Sequence, residues 1–280
     1  MCLSPSRESS LLGAAVLTAA LSIPALSTAQ SDAPSLARLT YVEKEVETGA
    51  ASWKEAVEGS GFDLGEGLRT GPEGIARLEL PWMALSLGPG SEVRFPDEYL
   101  LSVVLEKGRA VLEAETHDAL KLVTPEVRVR GQGRAIVRRE GQRTLVTCVE
   151  GRFEVSGRGR GVTLEPGRGT VVSSGRAPTA AEDTTPPPDE ESLWPGLDPV
   201  YAERDEPLDL LWEADAPAYH VEILPVGSDY VLLQQDVGPP PVRLSIPWGG
   251  AFRWRVASRD DRGLEGVPSV EGLICVSLSK

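Results

Sequence analysis

The chain is poor in the side chains that catalysis uses. It has two histidines, His117 and His220, in different halves of the sequence, and three cysteines. No Gly-x-Ser-x-Gly elbow, His-Glu-x-x-His pair or Walker loop occurs, so nucleophilic, metal-assisted and nucleotide chemistry have no sequence support. Positive charge is also short: 28 Lys and Arg stand against 42 Asp and Glu, a net charge of −14. That balance argues against a dedicated nucleic-acid binder. Long apolar runs are missing after the first thirty residues, which excludes a later membrane span.

What the N-terminus does have is a polar start with Arg7, an apolar run from Leu11 to Leu26, and Ser27-Thr28-Ala29 before Gln30. This is the layout of a secretory signal peptide, residues 1–29, cleaved after Ala29. Cys2 precedes the apolar run, so a lipoprotein is not expected. The expectation is an exported, periplasmic or extracellular protein, N-terminally anchored if the leader is retained. Cys148 and Cys275 remain after cleavage. An oxidising compartment allows them to pair, but each also reads as a small apolar residue within a strand, and that reading is preferred.

Short alternating runs fill the region to about Ser174. Ile75-Ala76-Arg77-Leu78-Glu79-Leu80 alternates, and Val127-Arg128-Val129-Arg130 puts valines on one face and arginines on the other. Between such runs lie Gly71-Pro72, Gly88-Pro89-Gly90, Lys107-Gly108, Gly131-Gln132-Gly133, Glu150-Gly151 and Gly157 to Gly161. Glycine and proline at this spacing predict turns in an all-β unit, either a sandwich or a short solenoid.

Residues 179–207 contain Pro186, Pro187 and Pro188 among acidic residues, and predict an extended, semi-rigid linker. Alternation resumes from Leu208, and six short strands predict a small β-sandwich over 208–280. Trp212, Tyr219, Val221, Ile223, Phe252, Trp254 and Val256 are its expected core, whereas His220, Glu222, Arg253 and Arg255 are expected to face water.

Residues 38–178 resemble the FecR domain, an extracytoplasmic module named for the iron-dicitrate signal transducer. The resemblance rests on Trp53, Leu64-Gly65-Glu66-Gly67-Leu68-Arg69-Thr70-Gly71, Ala76 to Leu80, Leu87 to Val93, Leu105 to Arg109, Val123 to Gly131 and Thr147 to Val155. Glu66 stands where the family pattern has Asp, and Gln132 where it has Thr. The iron-signalling members carry a cytoplasmic sigma-factor-binding region and a membrane helix before the domain. Here ten residues precede the apolar leader, so direct contact with a sigma factor is not expected. The C-terminal unit resembles an immunoglobulin-like, fibronectin type III-like sandwich through Leu210-Leu211-Trp212, Ala218 to Ile223, and Gly250 to Asp260 with Gly263.

Charge is unevenly spread. Lys121 to Arg168 holds eleven basic and five acidic residues, a local +6 against −20 elsewhere. Arg128, Arg130, Arg138, Arg139, Arg158 and Arg160 form the candidate anion- or partner-binding face, able to grip carboxylates or phosphates bidentately. The bland alternative is a solvated strand face. Asp63 with Glu66 reads as a turn, and Asp189 to Glu191 as solvated linker. The expectation is therefore a non-enzymatic envelope protein without cofactor or metal. It binds or scaffolds an envelope protein or an anionic polysaccharide, with FecR-type surface signalling as the alternative.

Overall fold

The computed structural model describes residues 36–81, 83–96, 102–116 and 121–277. The proposed leader and His117 lie outside the described residues. The fold is all-β; the sole helical element among the described residues is one 3-10 turn, Glu190–Ser192.

The first module contains β1 (Ala37–Glu43), β2 (Val46–Gly49), β3 (Lys54–Glu55), β4 (Gly61–Phe62), β5 (Gly67–Thr70), β6 (Ile75–Leu80), β7 (Met83–Leu87) and β8 (Glu92–Arg94). It continues with β9 (Ser102–Ala114), β10 (Lys121–Val123), β11 (Arg128–Glu140), β12 (Arg143–Gly157), β13 (Arg160–Leu164), β14 (Arg168–Ser173) and β15 (Glu182–Asp183). Three of these strands run to 13 or 15 residues, and each pairs differently in its two halves. The first half of β9 pairs with β8 and β10, and its second half with β7 and β11. β11 and β12 pair with each other throughout, but β12 takes β14 beside its first half and β13 beside its second.

These half-strand partners define two layers. One contains β1, β4, β6, β7, β14 and β15 with the second halves of β9 and β11; the other contains β2, β3, β5, β8, β10 and β13 with their first halves. Leu39, Leu78, Leu85, Leu112 and Val137 from the first layer share one core with Leu68, Val93, Leu105, Val129 and Phe153 from the second. The module is thus a sheet folded over on itself as a sandwich. Lys107-Gly108 and Gly131-Gln132-Gly133, expected as turns, are instead the points where strands pass between layers. Gly108 and Gly133 take φ of 90° and 108°, which side-chain-bearing residues rarely adopt.

The second module has β16 (Val200–Ala202), β17 (Pro207–Leu210), β18 (Ala218–Pro225), β19 (Leu233–Val237), β20 (Val242–Ser245), β21 (Gly250–Arg259) and β22 (Gly272–Val276). A five-stranded sheet, β16-β22-β21-β18-β19, faces the β17-β20 pair over a core centred on Trp212, Tyr219 and Trp254. Tyr219 reinforces it from within, its hydroxyl accepting from the backbone of Asp215 and Ala216 at 2.9 and 2.8 Å.

The stretch between the modules is extended, as its prolines dictate, but it is docked along its length. Thr184 N donates to Gly167 O on the first module at 2.9 Å. Leu193 is buried in the second core, and the Trp254 indole donates to Pro195 O at 2.8 Å. The described residues of the two modules form one compact unit.

Candidate functional site

Alternation gives each module a second face, and the two second faces meet. On β9 and β11, Ala110, Leu112, Ala135 and Val137 point into the first core. Their neighbours Arg109, Val111, Ile136 and Arg138 are buried without belonging to it. On β18, Tyr219, Val221 and Ile223 fill the second core, leaving His220, Glu222 and Leu224 on the opposite side. His220, Glu222 and Arg255 were expected to face water; they are at most 9% exposed. A second sheet, not solvent, covers them.

Arg109 is the centre of this junction. Its Nε and Nη2 donate to both Glu265 carboxylate oxygens at 3.0 and 2.7 Å, and its Nη1 donates to Gln234 Oε1 at 3.0 Å. Nη2 also lies 3.0 Å from Glu222 Oε1. Arg255 Nε donates to the other Glu222 oxygen at 2.6 Å. Arg138 bridges Asp236, at 2.6 and 3.0 Å, to Glu265 at 3.0 Å. Asp236 is further held by His220 Nδ1 at 2.7 Å and by Arg259 Nη1 at 2.9 Å. Arg259 returns to the first module at Glu140, 3.1 Å away.

Apolar contacts flank the ions. Tyr41 stacks on Tyr230 with ring centroids 4.3 Å apart, beside Ile75, Leu224 and Val231. Leu264 fits over Gly169, where an added Cβ would come within 2.7 Å of its Cδ2. Thr147 Oγ1 donates to Glu265 O at 2.5 Å.

The backbone that presents Arg109 is a corner made from three of the Gly-containing stretches, Leu64 to Gly71, Leu87 to Val93 and Leu105 to Arg109. Thr70 Oγ1 donates to Gly88 O at 2.7 Å and accepts from Ser91 N at 2.8 Å. Arg109 N donates to Ser91 Oγ at 3.0 Å, and Gly88 N donates to Arg109 O at 2.9 Å. Thr70, Ser91 and Arg109 are all buried. The motif residues therefore do not form a solvent-facing patch. They set the position of one guanidinium.

Burial by itself would raise each carboxyl in the network, but the arginines and His220 outweigh it. Glu265 is brought from 4.5 to about 2 by Arg109, His220 and Arg138. Glu222 is held well below its ordinary value by Arg255 and Arg109, and Asp236 is lowered through His220 and Arg138. Groups with depressed folded values add stability above their unfolded pKa and lose it as pH falls through the folded one. The urea midpoint is accordingly expected to hold between pH 7 and 5, then to fall from about pH 4.5 toward 2. An unchanged midpoint at pH 3 would show that the junction is not ionic in solution.

The six arginines of the candidate face are not brought together. Because β11 changes layer at Gly133, Arg128 and Arg130 lie on one layer and Arg138 on the other. Arg138 is spent inside the junction. Arg139, its immediate neighbour, points the opposite way, as strand geometry requires, and pairs with Glu126 at 3.0 Å while donating to Glu106 O. Arg130 pairs with Glu154 at 2.9 Å. Arg158 and Arg160 sit at the β12-β13 hairpin, where Arg158 and Gly159 take φ of 52° and 74° in a two-residue turn. Arg128, Arg130, Arg158 and Arg160 remain exposed. These four lie on the layer of β10 and β13, apart from Arg138.

Cys148 is buried and Cys275 half-buried, and both are free thiols. Burial, with Glu165, pushes the Cys148 thiol up to about 11. Among the described residues no group of three His, Cys, Asp or Glu side chains is placed to hold a metal ion.

No family model matches the sequence, and no curated protein does. Part of the chain is similar to two crystal structures of a "putative anti-sigma factor" from Parabacteroides distasonis ATCC 8503. Each is 18% identical over 42% of this chain, with TM-scores of 0.37 and 0.36. The match spans 59% of the length of that protein.

Proposed function

We propose that the chain is a non-enzymatic regulator of the bacterial envelope, a FecR-type sensor that acts through binding and through the coupling of its two β modules. The observation that carries this reading is the corner formed by Thr70, Gly88, Ser91 and Arg109, where three FecR-like stretches meet and point their arginine into the carboxylates of the second module. A junction built on ions fixes one register without adding much net stability, because desolvation offsets most of the Coulombic gain. Polar interfaces between modules of one chain also default to relative motion. Such a junction suits a device that must hold one arrangement and release it when a partner competes for its charges.

In this reading the chain works in the envelope and acts through a partner protein at the membrane. Deleting the gene in its source bacterium is expected to change the transcript levels of a small gene set. The wild-type gene restores them, and an Arg109→Ala copy does not. If no transcript outside the gene's own operon responds, the regulator reading fails and envelope scaffolding replaces it.

A further inference from the structure

We propose that the cleft between the modules, beside Trp248, is a binding site for a short neutral saccharide. This goes beyond the regulatory reading and stands on the cleft alone. The cleft has a volume of about 420 Å³ and takes Lys44, Pro72, Glu73 and Ile75 from the first module and Leu232 to Gln235, Ser245, Pro247 and Trp248 from the second. That size lies within the range of small-ligand sites, which favour domain boundaries.

Its lining selects the ligand chemistry. Ile75 is buried, and Leu232, Leu233 and Trp248 are half-buried, which gives an apolar floor with one indole. Lys44, Glu73, Gln235 and Ser245 are exposed around it and supply donors and acceptors. One base and one acid cancel, so the site attracts neither anions nor cations by net charge. An acyl chain would strip water from these four polar groups and pair none of them. A pyranose ring answers both halves of the lining: its C–H face lies against an aromatic ring while its hydroxyls donate and accept at the rim.

The site is also connected to the junction. Gln234 lines the cleft, and its Oε1 accepts from Arg109 at 3.0 Å. The loop bearing Lys44 is tied to the motif corner by Gly71 N donating to Glu45 O at 2.7 Å. A ligand bridging the two walls would therefore tighten the contact between modules, raising the unfolding temperature as it saturates.

The test is calorimetric titration of the purified protein with cellotriose, maltotriose and chitotriose, and with inorganic phosphate as a charged control. Saturable binding of at least one trisaccharide is expected, with no binding of phosphate. Trp248→Ala should weaken it by about tenfold or more. Glu73→Gln and Gln235→Ala, both at exposed positions where folding is not at stake, should each weaken it several-fold, while Lys54→Ala, exposed on β3, leaves it unchanged. Failure of all three saccharides to bind would overturn the proposal. So would binding that survives the Trp248, Glu73 and Gln235 changes, since the sugar would then sit elsewhere.

Discussion

Arg109→Ala is expected to destabilise the protein by about 3–5 kcal/mol, the range for breaking a buried ion pair from one side. The side chain is 6% exposed, and its partner carboxylates at Glu265 and Glu222 are 2% and 3% exposed. Truncation would leave two desolvated carboxylates, with Arg138 and Arg255 as the remaining counter-charges in contact. Replacing both ends tells whether the loss comes from charge or from shape. Arg109→Met with Glu265→Leu should recover much of the stability, because apolar isosteres remove the desolvation penalty as well as the attraction. The two sites touch, so their effects should depart from additivity by about 0.5–3 kcal/mol in a double-mutant cycle. Urea unfolding followed by tryptophan fluorescence and circular dichroism supplies the second readout. One transition in the wild type should split into two in Arg109→Ala, as the modules lose their coupling. A loss below about 1 kcal/mol with a single transition would mean that the apolar flank at Tyr41, Tyr230 and Leu264, not the ions, holds the modules together.

Much of the architecture was legible because strand alternation leaves a period of two in the sequence. Every residue expected in the second core, from Trp212 to Val256, is buried there. The destination of the other face was not legible. Polar residues at alternate positions look the same whether they meet water or another sheet, and His220-Val221-Glu222 therefore reads as a wet edge. One signal did point to burial. Of the 28 basic residues, 23 are arginine and five lysine, and arginine's planar fork is the group suited to buried, bidentate carboxylate pairing. Glycine was ambiguous in a similar way. Gly157 to Gly161 forms the expected hairpin, but Gly131 and Gly133 lie inside a strand, since glycine marks both tight turns and close backbone approach. Arg138 parts from Arg128 for that reason: the glycines between them send the two arginines to different layers.

Gly133→Ala and Gly151→Ala are each expected to cost about 2–5 kcal/mol, combining a left-handed backbone penalty of about 1–2 kcal/mol with overpacking of about 1–3 kcal/mol. The two glycines face each other where β11 and β12 cross between layers. Gly133 has φ of 108° and Gly151 of 78°. A Cβ on Gly133 would lie 2.2 Å from Glu150 O, and one on Gly151 would lie 2.0 Å from Gln132 O. The obstacle in both cases is backbone, which cannot rotate aside as a side chain could. Gly141 is the control, because its φ of 58° carries the same conformational penalty while an added Cβ there meets nothing within 4 Å. Gly141→Ala should therefore lose only about 1–2 kcal/mol. Urea midpoints of the three variants measure the difference. If all three lost the same amount, the close approach of the strands would not exist in solution. The crossing also decides which arginines reach the second module, since Arg138 follows it and Arg128 and Arg130 precede it. A Gly133 variant that still folds should therefore resemble Arg109→Ala, with its modules unfolding in separate transitions, whereas Gly141→Ala should keep one.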